Sequence, residues 1–100
     1  LNLDYNQFTS VPSVVFQMNS LDHLHMNKNQ IDNVPKDIGG AKKLACLKLN
    51  FNRLTGLPEE IRNLSTLKYI ELTDNKMTQI QKEHVASLLP KCNFYFNIKE

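Results

Sequence analysis

The sequence predicts a single-domain α/β solenoid: a right-handed coil with a parallel concave β-sheet and short convex helical turns. Two observations carry that expectation. Asparagine recurs at Asn6, Asn29, Asn52 and Asn75, 23 residues apart each time, and proline follows six residues after the first three, at Pro12, Pro35 and Pro58. Between these markers the apolar residues hold fixed slots. Leu44, Leu47, Leu49, Leu54, Leu57, Ile61 and Leu64 repeat Leu21, Leu24, Met26, Ile31, Val34, Ile38 and Ala41. Leu1, Leu3, Phe8, Val11, Val15 and Met18 fill the same slots one period earlier, and Leu67, Ile70, Leu72, Met77 and Ile80 one period later. Fixed chemistry at a fixed period marks coils that bury their apolar faces only against one another.

These slots resemble the leucine-rich repeat (LRR) family, LxxLxLxxNxLxxLPxxIxxL. The resemblance implies one domain over residues 1–100, about four repeats, and a sheet of about five short strands. In each coil the LxL segment is the strand. Alternation in Leu47-Lys48-Leu49 sends the leucines inward and Lys48 to the concave surface. The asparagine after each strand is expected to turn inward and satisfy neighbouring backbone groups, giving an Asn ladder of Asn6, Asn29, Asn52 and Asn75. Leu57-Pro58 then begins the convex return, because proline fixes φ and suits the start of a short 3-10 or α turn. Ile61 and Leu64 point back to the core, and Asp37-Ile38 before Gly39-Gly40 predicts a matching turn one coil earlier.

The pattern changes after Ile80. Gln81 stands where proline would recur, and His84 where the convex isoleucine would. Thr78 with Gln81 three residues on reads as a capping box, and Val85, Leu88 and Leu89 share one face of a helix over about 79–89. Pro90 ends it. Cys92 to Phe96 alternates like a fifth strand, with Leu89, Cys92 and Phe94 inward and Lys91, Asn93 and Tyr95 outward. Helix plus strand, from about 78 to 96, form a C-terminal cap over the solenoid's open end. The ending LLPKCNFYF resembles the last segment of short bacterial LRR proteins, notably those of pathogenic spirochaetes.

Composition excludes several classes of function. A formal charge of +2, with lysines and arginines scattered, argues against nucleic acid as a partner. No apolar stretch approaches the roughly 20 residues that cross a bilayer. There is no Gly-rich phosphate loop and no paired-carboxylate cleft, so an enzyme is not expected. Leu1 falls inside a repeat, so the chain reads as a fragment or mature form. The uncapped edge there invites pairing, which makes a homo-oligomer through the N-terminal coil an expectation.

Outward strand positions then supply the candidate site: Tyr5, His23, His25, Cys46, Lys48, Phe51, Tyr69 and Glu71. Large aromatics amid mixed charge suit a protein-binding face, although they would also pack on neighbouring lysine stems. The expected function is therefore non-enzymatic binding of a partner protein through the concave sheet. No cofactor is expected, with one alternative from another class. His23 and His25 lie two apart on one strand with Cys46 beside His23, so the three are a candidate zinc set, for metal binding or metal-mediated assembly. A Cys46–Cys92 disulfide is rejected, because two strand spacings part the α-carbons by about 9–10 Å, beyond the limit of about 7 Å. The spirochaetal resemblance implies a host-facing bacterial protein, secreted or at the cell surface, and leaves a cytoplasmic placement open.

Overall fold

A computed structural model describes residues 1–97. Four three-residue strands, β1 (His23–His25), β2 (Cys46–Lys48), β3 (Tyr69–Glu71) and β4 (Asn93–Tyr95), pair in sequence order, all parallel. The first coil joins through two isolated parallel bridges, Asn2 to His25 and Ser10 to Asn33, with Leu3 N–H donating to the His25 carbonyl at 2.7 Å. The central residue of each strand, Leu24, Leu47, Ile70 or Phe94, faces the core. Its two neighbours face the concave side, as period-two alternation requires.

On the convex side, 3-10 turns run over Ser13–Gln17, Lys36–Gly40 and Glu59–Asn63. Each follows its proline, which stands outside the turn in extended conformation and offers its carbonyl to the first bond. Val15, Ile38 and Ile61 donate to Pro12, Pro35 and Pro58 at 3.0, 3.1 and 3.1 Å. The same three residues are buried, so one position closes the turn and fills the core. Neighbouring turns approach closely at Gly39, where an added Cβ would lie 3.2 Å from Glu60 Cβ and 3.3 Å from its carbonyl oxygen.

The asparagine ladder forms. Asn52 Nδ2 donates to the carbonyls of Leu49 and Asn50 in its own coil and Met26 in the coil before, at 3.1, 3.2 and 3.0 Å. Its Oδ1 accepts from Ile31 N–H at 3.0 Å. Asn29 and Asn75 repeat that set. Asn6 serves only its own coil, through Leu3 and Asp4, and is exposed.

The last coil follows its own rules. Helix α1 (Gln79–Leu88) opens on the capping box, with Gln81 N–H donating to Thr78 Oγ1 at 3.2 Å and Thr78 N–H to Gln81 Oε1 at 2.9 Å. Two expectations are corrected here. Ile80 is not a core residue: it lies 78% exposed. It precedes buried Val85 by five residues, which at 3.6 per turn puts it about 140° round the helix. The sequence also puts Lys91 beside Tyr69 and Asn93 beside Glu71, 22 residues on in each case; the structure instead pairs Asn93 with Tyr69 and Tyr95 with Glu71, 24 residues on. A two-residue shift keeps every side chain on its face, so Phe94 still packs inward, opposite Ile70.

One core runs from Val11 to Leu88 through all coils. Leu49 is fully buried in its middle, so Leu49→Ala is expected to cost roughly 2–5 kcal/mol, read from the urea midpoint. Asn52→Ala strands buried backbone groups in two coils and should cost roughly 1–3 kcal/mol, against a smaller loss for exposed Asn6→Ala. Equal losses in the two asparagine variants would refute the ladder's role.

Candidate functional site

Each coil turns sharply just after its strand. Tyr5, Lys28, Phe51 and Asp74 carry φ of 58°, 57°, 58° and 56°, the left-handed region that non-glycine residues rarely adopt. Each precedes a ladder asparagine, and the turn aims that asparagine inward while its own side chain stands at the strand exit. Lys28 Nζ lies 4.8 Å from the centre of the Tyr5 ring, 5.4 Å from that of Phe51, and 3.0 Å from Tyr5 Oη. The two aromatics therefore pack on the lysine between them. They remain in contact with solvent, Tyr5 at 71% and Phe51 at 37% exposure.

Further along the strands, a polar network crosses the sheet. Lys48 Nζ stands 3.9 Å from Glu71 Oε2, and Asn50 Nδ2 donates to Glu71 Oε1 at 2.8 Å. Tyr69 and Tyr95 meet edge to face, 6.3 Å between centroids. His25 is half-buried; lost hydration pushes its pKa below the ordinary value, and the Lys48 ammonium beside it adds to the effect while Asp4 opposes it. His23 is exposed and its Nδ1 sits 3.1 Å from Asp22 Oδ1, a contact that lowers the carboxyl's pKa.

Cys46 departs from the sequence expectation. It is fully buried although its strand position faces the concave side. Tyr69 is its partner on the next strand. Burial raises the Cys46 pKa, and interaction with the Cys46 thiol leads the causes that push the Tyr69 phenol up to about 12. The expected zinc set of His23, His25 and Cys46 is therefore not brought together. Among the described residues no group of three or more His, Cys, Asp and Glu side chains is placed to hold a metal ion. Both cysteines are free, and burial pushes the Cys92 thiol up to about 11.

Sequence reasoning missed a second ladder. Asp4 Oδ1 accepts from Asn27 N–H at 2.7 Å, Asn27 Oδ1 from Asn50 N–H at 2.8 Å, and Asn50 Oδ1 from Thr73 N–H at 2.8 Å. These side chains lie in an outward column, yet they tie one coil's backbone to the next. The signal was available: acceptor-bearing Asp4, Asn27 and Asn50 recur at the same period as the inner asparagines.

A leucine-rich repeat family model matches residues 1–54. The chain belongs to the leucine-rich repeat family. Among solved structures, an LRR protein of Leptospira interrogans superposes on 94% of the chain with a TM-score of 0.90 and 39% sequence identity. The chain spans 24% of that protein's length. Comparison with curated proteins gives no match. LRR domains generally bind proteins, and the family is typically non-enzymatic. No described helix of this LRR chain is long and apolar enough to cross a membrane.

Raised pKa values mean that folding favours the protonated thiol and phenol. That stability is complete below the unfolded values of 9.0 for Cys92 and 10.0 for Tyr69, and is lost as pH rises towards about 11 and about 12. The urea midpoint should therefore fall between about pH 9 and 12, with Cys92→Ser flattening the lower part of that window. A midpoint constant across it would contradict the protonated pair. In a Cys92→Ser background, Tyr69→Ala should raise the rate at which Cys46 reacts with a maleimide, roughly tenfold or more, as the cover is removed.

Proposed function

We propose that the chain is a protein-recognition module that takes its partner on the concave sheet and its strand-exit edge. The observation behind this reading is the set of aromatics the core does not use: exposed Tyr5 and Phe51 around Lys28, and the Tyr69–Tyr95 pair. Aromatic side chains give large contact area at low entropic cost, which is why they anchor interfaces. The sheet between them is shallow and polar, and its charges are largely paired, so they supply register more than affinity. The Leptospira likeness supports a bacterial setting, and a secreted or surface-exposed placement facing host proteins is part of the same proposal.

A zinc-binding or zinc-assembled role for His23, His25 and Cys46 is the weaker reading. Cys46 would have to lose its Tyr69 cover and ionise against a raised pKa before it could ligate.

The test is affinity capture from host-cell surface proteins and from the source cell's lysate, using three chains shown folded by circular dichroism. Wild type and a convex-face control, Arg62→Ser, should hold the same partner, and Phe51→Ser/Tyr69→Ser should lose it. Loss in the convex control with retention in the double variant would overturn the concave reading. Zinc-dependent heat or self-association, abolished by His23→Ala/His25→Ala, would promote the metal reading instead.

A further inference from the structure

We propose that Lys28, clamped between Tyr5 and Phe51, anchors a carboxylate side chain of the partner, flanked in that partner by apolar residues. The inference rests on the concave reading and names the chemistry recognised at its edge. Its starting point is the contrast between Lys28 and the other charges of this face. Lys48 faces Glu71 at 3.9 Å, and Asp22 faces His23 at 3.1 Å. Asp4 has its carboxylate committed to Asn27 N–H. Lys28 has no carboxylate partner among the described residues; its one hydrogen bond goes to the neutral Tyr5 hydroxyl. An ammonium carries three donors, so capacity remains for a charged acceptor.

Position adds to this. A surface lysine ordinarily loses substantial rotamer entropy when a partner fixes it. Here two rings, their centres 4.8 and 5.4 Å from Nζ, and the Tyr5 hydroxyl at 3.0 Å already restrict the ammonium. The left-handed backbone at Tyr5, Lys28 and Phe51 keeps all three side chains in one column along the strand exits. Rings on both sides of the cation offer apolar contact to whatever flanks the incoming carboxylate, and they reduce its exposure to water, which strengthens a charge-assisted hydrogen bond.

Asp74 limits the partner's composition. It occupies the next slot after Phe51, two coils from Lys28, or about 9–10 Å at the usual strand spacing. A run of acidic residues laid along the column would meet that carboxylate and be repelled. The site therefore suits an isolated acid among apolar neighbours, not a polyacidic tract.

The experiment is selection of a random peptide library displayed on phage against the wild-type chain, followed by binding of the recovered peptides to folded variants. Recovered peptides are expected to share one Asp or Glu beside aromatic or aliphatic residues. Replacing that acid by its amide, or Lys28 by Met, should weaken binding roughly tenfold or more. Lys28→Arg should retain it, Phe51→Asn should weaken it with the left-handed turn preserved, and raised salt should weaken it further. Peptides that bind the concave face, lost with Tyr69→Ser but indifferent to Lys28→Met, would overturn the anchor and leave the concave reading standing. Peptides lost only with the convex Arg62→Ser would overturn both. A selection that enriches no acid-bearing peptide, or none at all, overturns the anchor.

Discussion

The fold depends on how each coil satisfies its backbone at the strand exit. A strand of three residues must end in a turn tight enough to send the chain back over the core, and the carbonyls and N–H groups at that turn are buried between coils. Asn52 meets the requirement with one side chain, closing its own turn through Leu49 and Asn50 and holding the previous coil through Met26 and Ile31. A buried peptide group left without a partner would cost about 1–3 kcal/mol, a loss that overlaps the range for a core leucine. It reaches those partners because the residue before it takes φ near +57°. That conformation costs of order 1–3 kcal/mol in a non-glycine residue, and the ladder offsets the cost in every coil.

The same requirement shapes the concave surface. All four left-handed residues are exposed, so each coil places one side chain at the strand exit whatever its chemistry. Tyr5, Lys28, Phe51 and Asp74 share a geometry and nothing else. The outer ladder of Asp4, Asn27 and Asn50 removes another column from partner binding, because those acceptors are committed to the next coil's N–H groups. Two ladders therefore frame each strand, one inside and one outside. What is left for recognition is the aromatic and charged material between and beyond them.

Much of this was legible in the sequence because it repeats. Strand positions, the inner ladder, the convex turns after Pro12, Pro35 and Pro58, and the Thr78/Gln81 box all follow from residues whose type alone limits their conformation. What escaped depends on contacts between coils or on the end of the repeat. No glycine or asparagine marks the left-handed residues, since the ladder imposes that conformation from outside. Cys46 sits in an outward slot and is nevertheless fully buried, between strand partners His23 and Tyr69, 23 residues away on either side. Ile80 and the cap register follow from a helix in place of a 3-10 turn. The helix has its own angular period, and from Tyr69 to its strand partner Asn93 the repeat is 24 residues instead of 23.

That burial of Cys46 separates the two chemistries the concave face had seemed to offer. A ligand or nucleophile needs an accessible thiolate, and both desolvation and the raised pKa work against one here. His25 is pushed towards its neutral form by burial and by Lys48, while His23 is engaged with Asp22. The titratable groups at the centre of the sheet thus serve each other. At the strand exits the balance reverses, since Lys28 lies between two rings with no carboxylate partner among the described residues. An open sheet concentrates binding where side chains are ordered in advance and still carry unspent interactions. On this molecule that condition is met at the edge of the sheet, not at its centre.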